Sequence, residues 1–208
     1  MSETLPPLPL VFSFDLETVA FPHCVTRAGF IEIYAEVLDP NKPGWPVVAT
    51  FHSYVQPDMD NAQVETIMWH RKQGLTLEQM RYRGRCEHLV IEDLVTFLDT
   101  HSPRDANGKM IKMLPAGHNI GRFDIPILWR AAYVCGIDMD AYLDHHLLDT
   151  CGMAYERYVF KLRSTEKVSL RKLAVFLGIE IDESQTHKAK YDMFITNQVL
   201  RHMMDVQP

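Results

Sequence analysis

Apolar positions along this 208-residue chain recur first at a spacing of two and later at a spacing near 3.6. In LVFSFDLETVA, residues Leu10, Val11, Phe12 and Phe14 read as a short buried strand, and FIEIYAEVL (30–38) alternates like a half-buried one. The proline- and glycine-rich DPNKPGWP (39–46) turns the chain back into a third strand at 47–55. Helical spacing follows at 61–73 and 87–101, where Leu89, Ile91, Leu94, Val95 and Leu98 form an apolar stripe. After a polar loop at 102–109, a strand is predicted over 110–116 and a helix over 121–136, ending at Gly136. A short strand at 145–149 and helices at 151–162, 169–178 and 188–205 complete the pattern. Three antiparallel strands, then strands alternating with helices, predict an α/β protein with a mixed five-stranded sheet flanked by helices. With no internal repeat and no Gly/Ser-rich linker, residues 1–208 read as a single domain.

One feature of this pattern is costly. Asp15 and Glu17 follow the first apolar run directly, and two residues apart on an extended chain they face the same way. Like charges held together at the margin of a core repel, unless one takes a proton or a cation lies between them. Two further carboxylates stand among apolar neighbours: Asp124, in GHNIGRFDIPIL, and Asp192, in THKAKYDMF, where His187 precedes it by five positions. Ligands that are all oxygen suit Mg²⁺ or Mn²⁺. Two such ions about 3.5–4 Å apart are a common device for in-line attack on a phosphodiester, and a histidine beside them has the right pKa range to take a proton.

Composition narrows the partners. The chain is 47% hydrophobic and 23% charged, enough to bury a core, and the charge balance of 21 basic against 27 acidic residues gives −6. That excludes a protein that coats nucleic acid through a broadly basic surface, but not an enzyme gripping a few nucleotides around bound cations. No apolar run reaches the roughly 18 residues of a membrane span, so no membrane is expected. The start, MSETLPPLPL, lacks the pattern of a secretion signal, and Cys24, Cys86, Cys135 and Cys151 are scattered, so reduced thiols and a cytoplasmic location are expected.

These motifs, in this order, resemble the DEDDh 3′–5′ exonucleases, the DnaQ-like group with a ribonuclease H-like fold. Phe14-Asp15-Leu16-Glu17-Thr18 is similar to the family's first motif, His118-Asn119 with Phe123-Asp124 to its second, and His187-x-Ala189-x-x-Asp192 to its third. Leu148-Asp149-Thr150 resembles the short strand between the last two. The resemblance implies that Asp15, Glu17 and Asp192 bind a first metal ion and that Asp15 and Asp124 hold a second. It implies His187 as general base, and Leu16, Thr18, Asn119 and Phe123 as contacts to the terminal nucleotide. The implied partner is DNA or RNA with a free, unpaired 3′ end, and the implied products are nucleoside 5′-monophosphates. A homodimer is compatible with it. The family usually has a small residue after its last aspartate, where this chain has Met193.

Two rival readings remain open: a binding module that keeps this fold without turnover, and an endonuclease of ribonuclease H type. Among other polar residues, Asp149 is expected to cap the helix that follows it. His145 and His146 are read as structural, because neighbours in a strand face opposite ways. Lys188, Lys190 and Arg122 are candidates for phosphate, whereas RYRGRC (81–86) is read as an exposed link between helices.

Overall fold

The computed structural model describes residues 7–19, 29–57, 62–72, 74–160, 168–185 and 188–206. Its strands are β1 (Val11–Thr18), β2 (Phe30–Leu38), β3 (Val47–Tyr54), β4 (Leu114–Gly117) and β5 (Leu148–Asp149). Its helices are α1 (Val64–Lys72), α2 (Leu77–Arg83), α3 (Glu87–His101), α4 (Asp124–Val134), α5 (Thr150–Ala154), α6 (Leu170–Phe176) and α7 (Ala189–Met203). The sheet has the order β3-β2-β1-β4-β5; β2 is antiparallel to both neighbours, whereas β1, β4 and β5 run parallel. The predicted mixed five-stranded sheet is therefore present.

The pleat of β1 sorts its side chains into two sets. Phe12, Phe14 and Leu16 share the main core with Ile91, Leu94 and Leu98 of α3 and Ile127, Leu128 and Ala131 of α4. Val11, Ser13, Asp15 and Glu17 take the other face, where α7 lies against β1 and β2. There Val11 clusters with Leu38, Ala116 and Leu200, and Ser13 Oγ donates to Met193 Sδ at 3.0 Å. The larger residue after Asp192 is thus seated on a serine of the central strand, fully buried.

Several boundaries differ from the expected ones. Val90 replaces Leu89 in the buried stripe of α3, and Leu89 is exposed. Residues 110–113 do not join β4: Ile111 N–H bonds Pro103 O and Met113 N–H bonds Tyr142 O, so this segment makes only isolated bridges, to Arg104 and Leu143. The predicted strand at 145–149 keeps only Leu148 and Asp149, because Asp144 accepts the His146 N–H at 2.8 Å and turns the chain. The helix after Asp149 gives way at Tyr155 to a π-helical turn, Tyr155–Phe160. RYRGRC is not a plain link. Its first three residues end α2, which opens on a reciprocal cap: Thr76 Oγ1 accepts from Gln79 N, and Thr76 N donates to Gln79 Oε1.

β4 meets β1 closely at Gly117. A Cβ there would stand 2.0 Å from Ile120 Cγ2 and 2.9 Å from the Phe14 carbonyl oxygen. Gly117→Ala is expected to destabilise the protein by about 2–3 kcal/mol, read as a lower urea midpoint at unchanged slope. A midpoint equal to that of the parent would mean that this contact yields at no cost.

Candidate functional site

β1 outruns its parallel partner. The last β1–β4 pair is Ser13 with Ala116, so Asp15 and Glu17 project beyond β4 at the carboxyl end of the central strand. Ligands collect at such ends in sheets of this kind. The N-terminus of α4 enters there, and its first residue, Asp124, accepts the Leu16 N–H on Oδ1 at 2.9 Å. On the other side Asp192 occupies the first turn of α7. Three segments far apart in sequence thus deliver four carboxylates to one end of the sheet.

Their electrostatics show the convergence. Burial holds Asp15 well above the usual carboxylate range, and the charges of Asp124, Asp192 and Glu32 push it further in that order. Glu17 is raised likewise, by burial first and then by Asp15, Asp192, Glu32 and Asp124. Burial lifts Asp124 to about 7, against the lowering effect of the Leu16 and Asp124 N–H groups and with a further push from Asp149. Among the described residues, the group of three whose ligand atoms all lie within 4.8 Å of one another is Asp144, His145 and His146. No three of the four carboxylates meet that criterion, although their charges raise one another.

Two residues join this cluster that the sequence reading passed over. Glu32 of β2 sits opposite Glu17 in the antiparallel pairing, is 8% exposed, and holds His52 Nε2 at 2.8 Å. His70 of α1 is buried, bonds the Thr18 carbonyl through Nε2 at 2.7 Å, and brings Nδ1 to 3.8 Å from Glu17 Oε2. Because a carbonyl only accepts, Nε2 carries the proton and Nδ1 turns its lone pair toward Glu17. Burial pulls the His70 pKa down. The alternation of FIEIYAEVL carried a signal for Glu32, since it shares a face with Tyr34 and Glu36. The pairing register with β1, which sets that face against Glu17, is tertiary information.

The remaining predicted residues distribute as follows. Leu16 is 8% exposed with its side chain in the main core, and Thr18 is half-buried above it. Asn119 has the left-handed backbone of a turn residue (φ 62°), and its N–H is held by Asp149 Oδ1 at 2.7 Å. Phe123 precedes α4 half-buried, with the Arg122 guanidinium 5.7 Å from its ring centre. Asp149 caps α5 through the N–H groups of Cys151 and Gly152 and so braces the Asn119 turn. His118 Nδ1 lies 2.9 Å from Thr150 Oγ1, which in turn donates to Gly117 O. His187 lies outside the described residues; the flanking Lys188 is exposed and its Nζ donates to Gln185 Oε1.

His145 and His146 correct an expectation. They precede β5 in a loop rather than lying within a strand, so their rings do not point apart. The ring centres are 3.9 Å apart and both imidazoles approach Asp144 Oδ1, at 3.5 and 2.7 Å. Both are largely exposed and brace no core.

A central strand that carries two acids past its parallel neighbour, within a β3-β2-β1-β4-β5 order, gives a ribonuclease H-like α/β fold. No family model and no curated protein matches the chain. Solved structures do. A structure of exonuclease I superposes with a TM-score of 0.72 at 18% identity, over 95% of this chain and 43% of that one. E. coli exonuclease I in complex with a dT13 oligonucleotide gives 0.70 at 18% identity, over 97% and 42%. The zinc-bound form of the E. coli enzyme with single-stranded DNA gives 0.69 at 18%, over 94% and 42%. The chain spans about two fifths of the length of these proteins, and shares with them the fold.

Proposed function

We propose that this chain is a divalent-metal-dependent 3′–5′ exonuclease acting on single-stranded nucleic acid. The observation that carries this reading is the raising of Asp15 and Glu17 by burial and by Asp124 and Asp192, one buried and three partly buried acids from three distant segments. A partly buried group of like charges is relieved by protons or cations among them, and an oxygen-only donor set fits Mg²⁺ or Mn²⁺. Asp15, Glu17 and Asp192 would hold one ion, and Asp15 with Asp124 a second. Such ions stabilise charge on the attacking and leaving oxygens of a phosphodiester.

Around them, the chain's own residues orient the strand end. Thr18, the edge of Leu16, Asn119 and Phe123 border the terminal nucleotide, and His187 takes a proton from the attacking water. Water adds to phosphorus, the P–O3′ bond breaks, and a nucleoside 5′-monophosphate leaves the shortened strand. All four carboxylates come from one chain, so the chemistry requires no second copy. Exonuclease I has been seen with single-stranded oligonucleotides, which makes unpaired DNA the first substrate to try.

The test is a panel of linear and circular single strands of DNA and RNA with Mg²⁺ or Mn²⁺, resolved by product length. Linear strands should shorten from the 3′ end to 5′-mononucleotides while circles persist; cut circles would replace this reading with an endonuclease. His187→Ala should lower kcat about 10²-fold or more. An unchanged rate across pH would remove His187 as the base.

A further inference from the structure

Beside Glu17 opens a cavity of about 170 Å³, lined by Glu17, Glu32, Tyr54, His70, Arg83 and Lys188 among others. The acidic or neutral side chains of Glu17, Glu32, Tyr54 and His70 thus face two cations, immediately next to the carboxylate cluster. We infer that Arg83, with Tyr54 and Lys188 beside it, holds the backbone phosphate immediately upstream of the scissile one. This inference rests on the exonuclease reading of the neighbouring carboxylates and deepens it, by locating the path of the uncleaved strand.

The placement of Arg83 is built in. It is the last residue of α2, and Gly84 after it is buried so tightly that a Cβ would meet Met80 O at 2.3 Å, Gln56 N at 2.6 Å and Val55 C at 2.7 Å. Only glycine fits there. The turn is also bonded to the chain leaving β3: Arg85 N–H to Tyr54 O at 3.0 Å, and Gln56 N–H to Arg85 O at 2.9 Å. With the backbone pinned on both sides, the Arg83 guanidinium lies 6.0 Å from the Tyr54 ring centre and hydrogen-bonds the Tyr54 hydroxyl. Arg85, two residues on, is instead paired with Asp93.

The chemistry of the cavity favours a phosphodiester. A guanidinium held beside a tyrosine by one bond to its hydroxyl keeps its other N–H groups for a planar or tetrahedral oxyanion. Glu32, which lines the cavity without being assigned to a cation, is engaged by His52 Nε2 and by the Tyr54 hydroxyl. From Tyr54 the aromatic faces continue along β3, an edge strand, to His52 at 4.9 Å. A cation followed by neighbouring rings, here Tyr54 and His52, suits a single strand held without reading its sequence.

The experiment compares Arg83→Gln with Arg81→Gln, an exposed residue of the same helix that, unlike the equally exposed Arg83, does not line the cavity. Binding of a 5′-fluorescein oligothymidylate is measured by anisotropy over a range of salt, with Ca²⁺ in place of Mg²⁺. Arg83→Gln should weaken binding about tenfold and reduce the slope of log affinity against log salt by about 0.7, one single-strand phosphate contact. Arg81→Gln should change neither. In Mg²⁺, the loss of kcat/KM on the oligonucleotide should exceed by about fivefold or more the loss on the 4-nitrophenyl ester of thymidine 5′-monophosphate, which has no upstream phosphate. An unchanged slope, or equal losses on both substrates with a lowered Tm, would overturn the assignment and leave Arg83 as a structural partner of Tyr54. If the parent cleaves neither substrate but the Arg83-dependent slope persists, the contact stands and the exonuclease reading falls. Cleavage without that slope is the converse.

Discussion

Asp15→Asn is expected to abolish hydrolysis, lowering kcat by at least about 10⁴-fold, while raising the melting temperature of the metal-free protein by about 3–6 °C. The two effects have one cause. Asp15 is held above its ordinary pKa by burial and by three neighbouring acids, so its charge is opposed by everything around it except a cation. An amide of the same shape removes that repulsion and about 1–2 kcal/mol of destabilisation, and with it the group proposed to bridge both ions. Calorimetry in a chelator, paired with the oligonucleotide assay in Mg²⁺, reads both halves. A variant that retains activity would dismiss Asp15 from the chemistry; one that melts lower would show that Asp15 contributes favourably to the metal-free fold.

Withdrawing divalent ions should likewise stop turnover completely, and should expose a pH dependence of known sign. Asp124 titrates near 7 in the folded chain against an ordinary 3.8. Between those values the folded state binds more protons than the unfolded one, so stability falls as pH rises through the window and the loss is complete above about 7. Asp15 and Glu17, raised in the same direction, extend the trend. A cation competes with those protons, so Mg²⁺ should stabilise little at pH ~5 and most at pH ~8, by about 2.7 kcal/mol at a concentration of a hundred times its Kd. Thermal melts with and without chelator across this range supply the check. A melting temperature indifferent to Mg²⁺ at the alkaline end would argue for a fold that has given up metal binding, the binding-module alternative.

Much of the architecture was legible because it is periodic. Alternation over Phe30–Leu38 and the run ending at Phe14 located β2 and β1, and Ser169 marked the start of α6 through its bond to the Lys172 N–H. The failures were local turns whose hydrogen bonds outweigh pattern. Asp144 captures the His146 N–H and truncates the strand before Leu148, and so brings together two imidazoles expected to point apart. α2 was missed although Thr76 and Gln79 announce a capping box, because its seven residues carry little apolar spacing to detect.

The chain alone determined which acids are set among apolar neighbours, and hence that Asp15, Glu17, Asp124 and Asp192 needed a reason to be there. Tertiary structure decided their company. The antiparallel register brought Glu32 opposite Glu17, α1 carried His70 to the Thr18 carbonyl, and the tight turn at Gly84 set Arg83 on Tyr54. A side chain's own polarity and spacing are written along the chain, but the field it experiences comes from groups that only folding brings near.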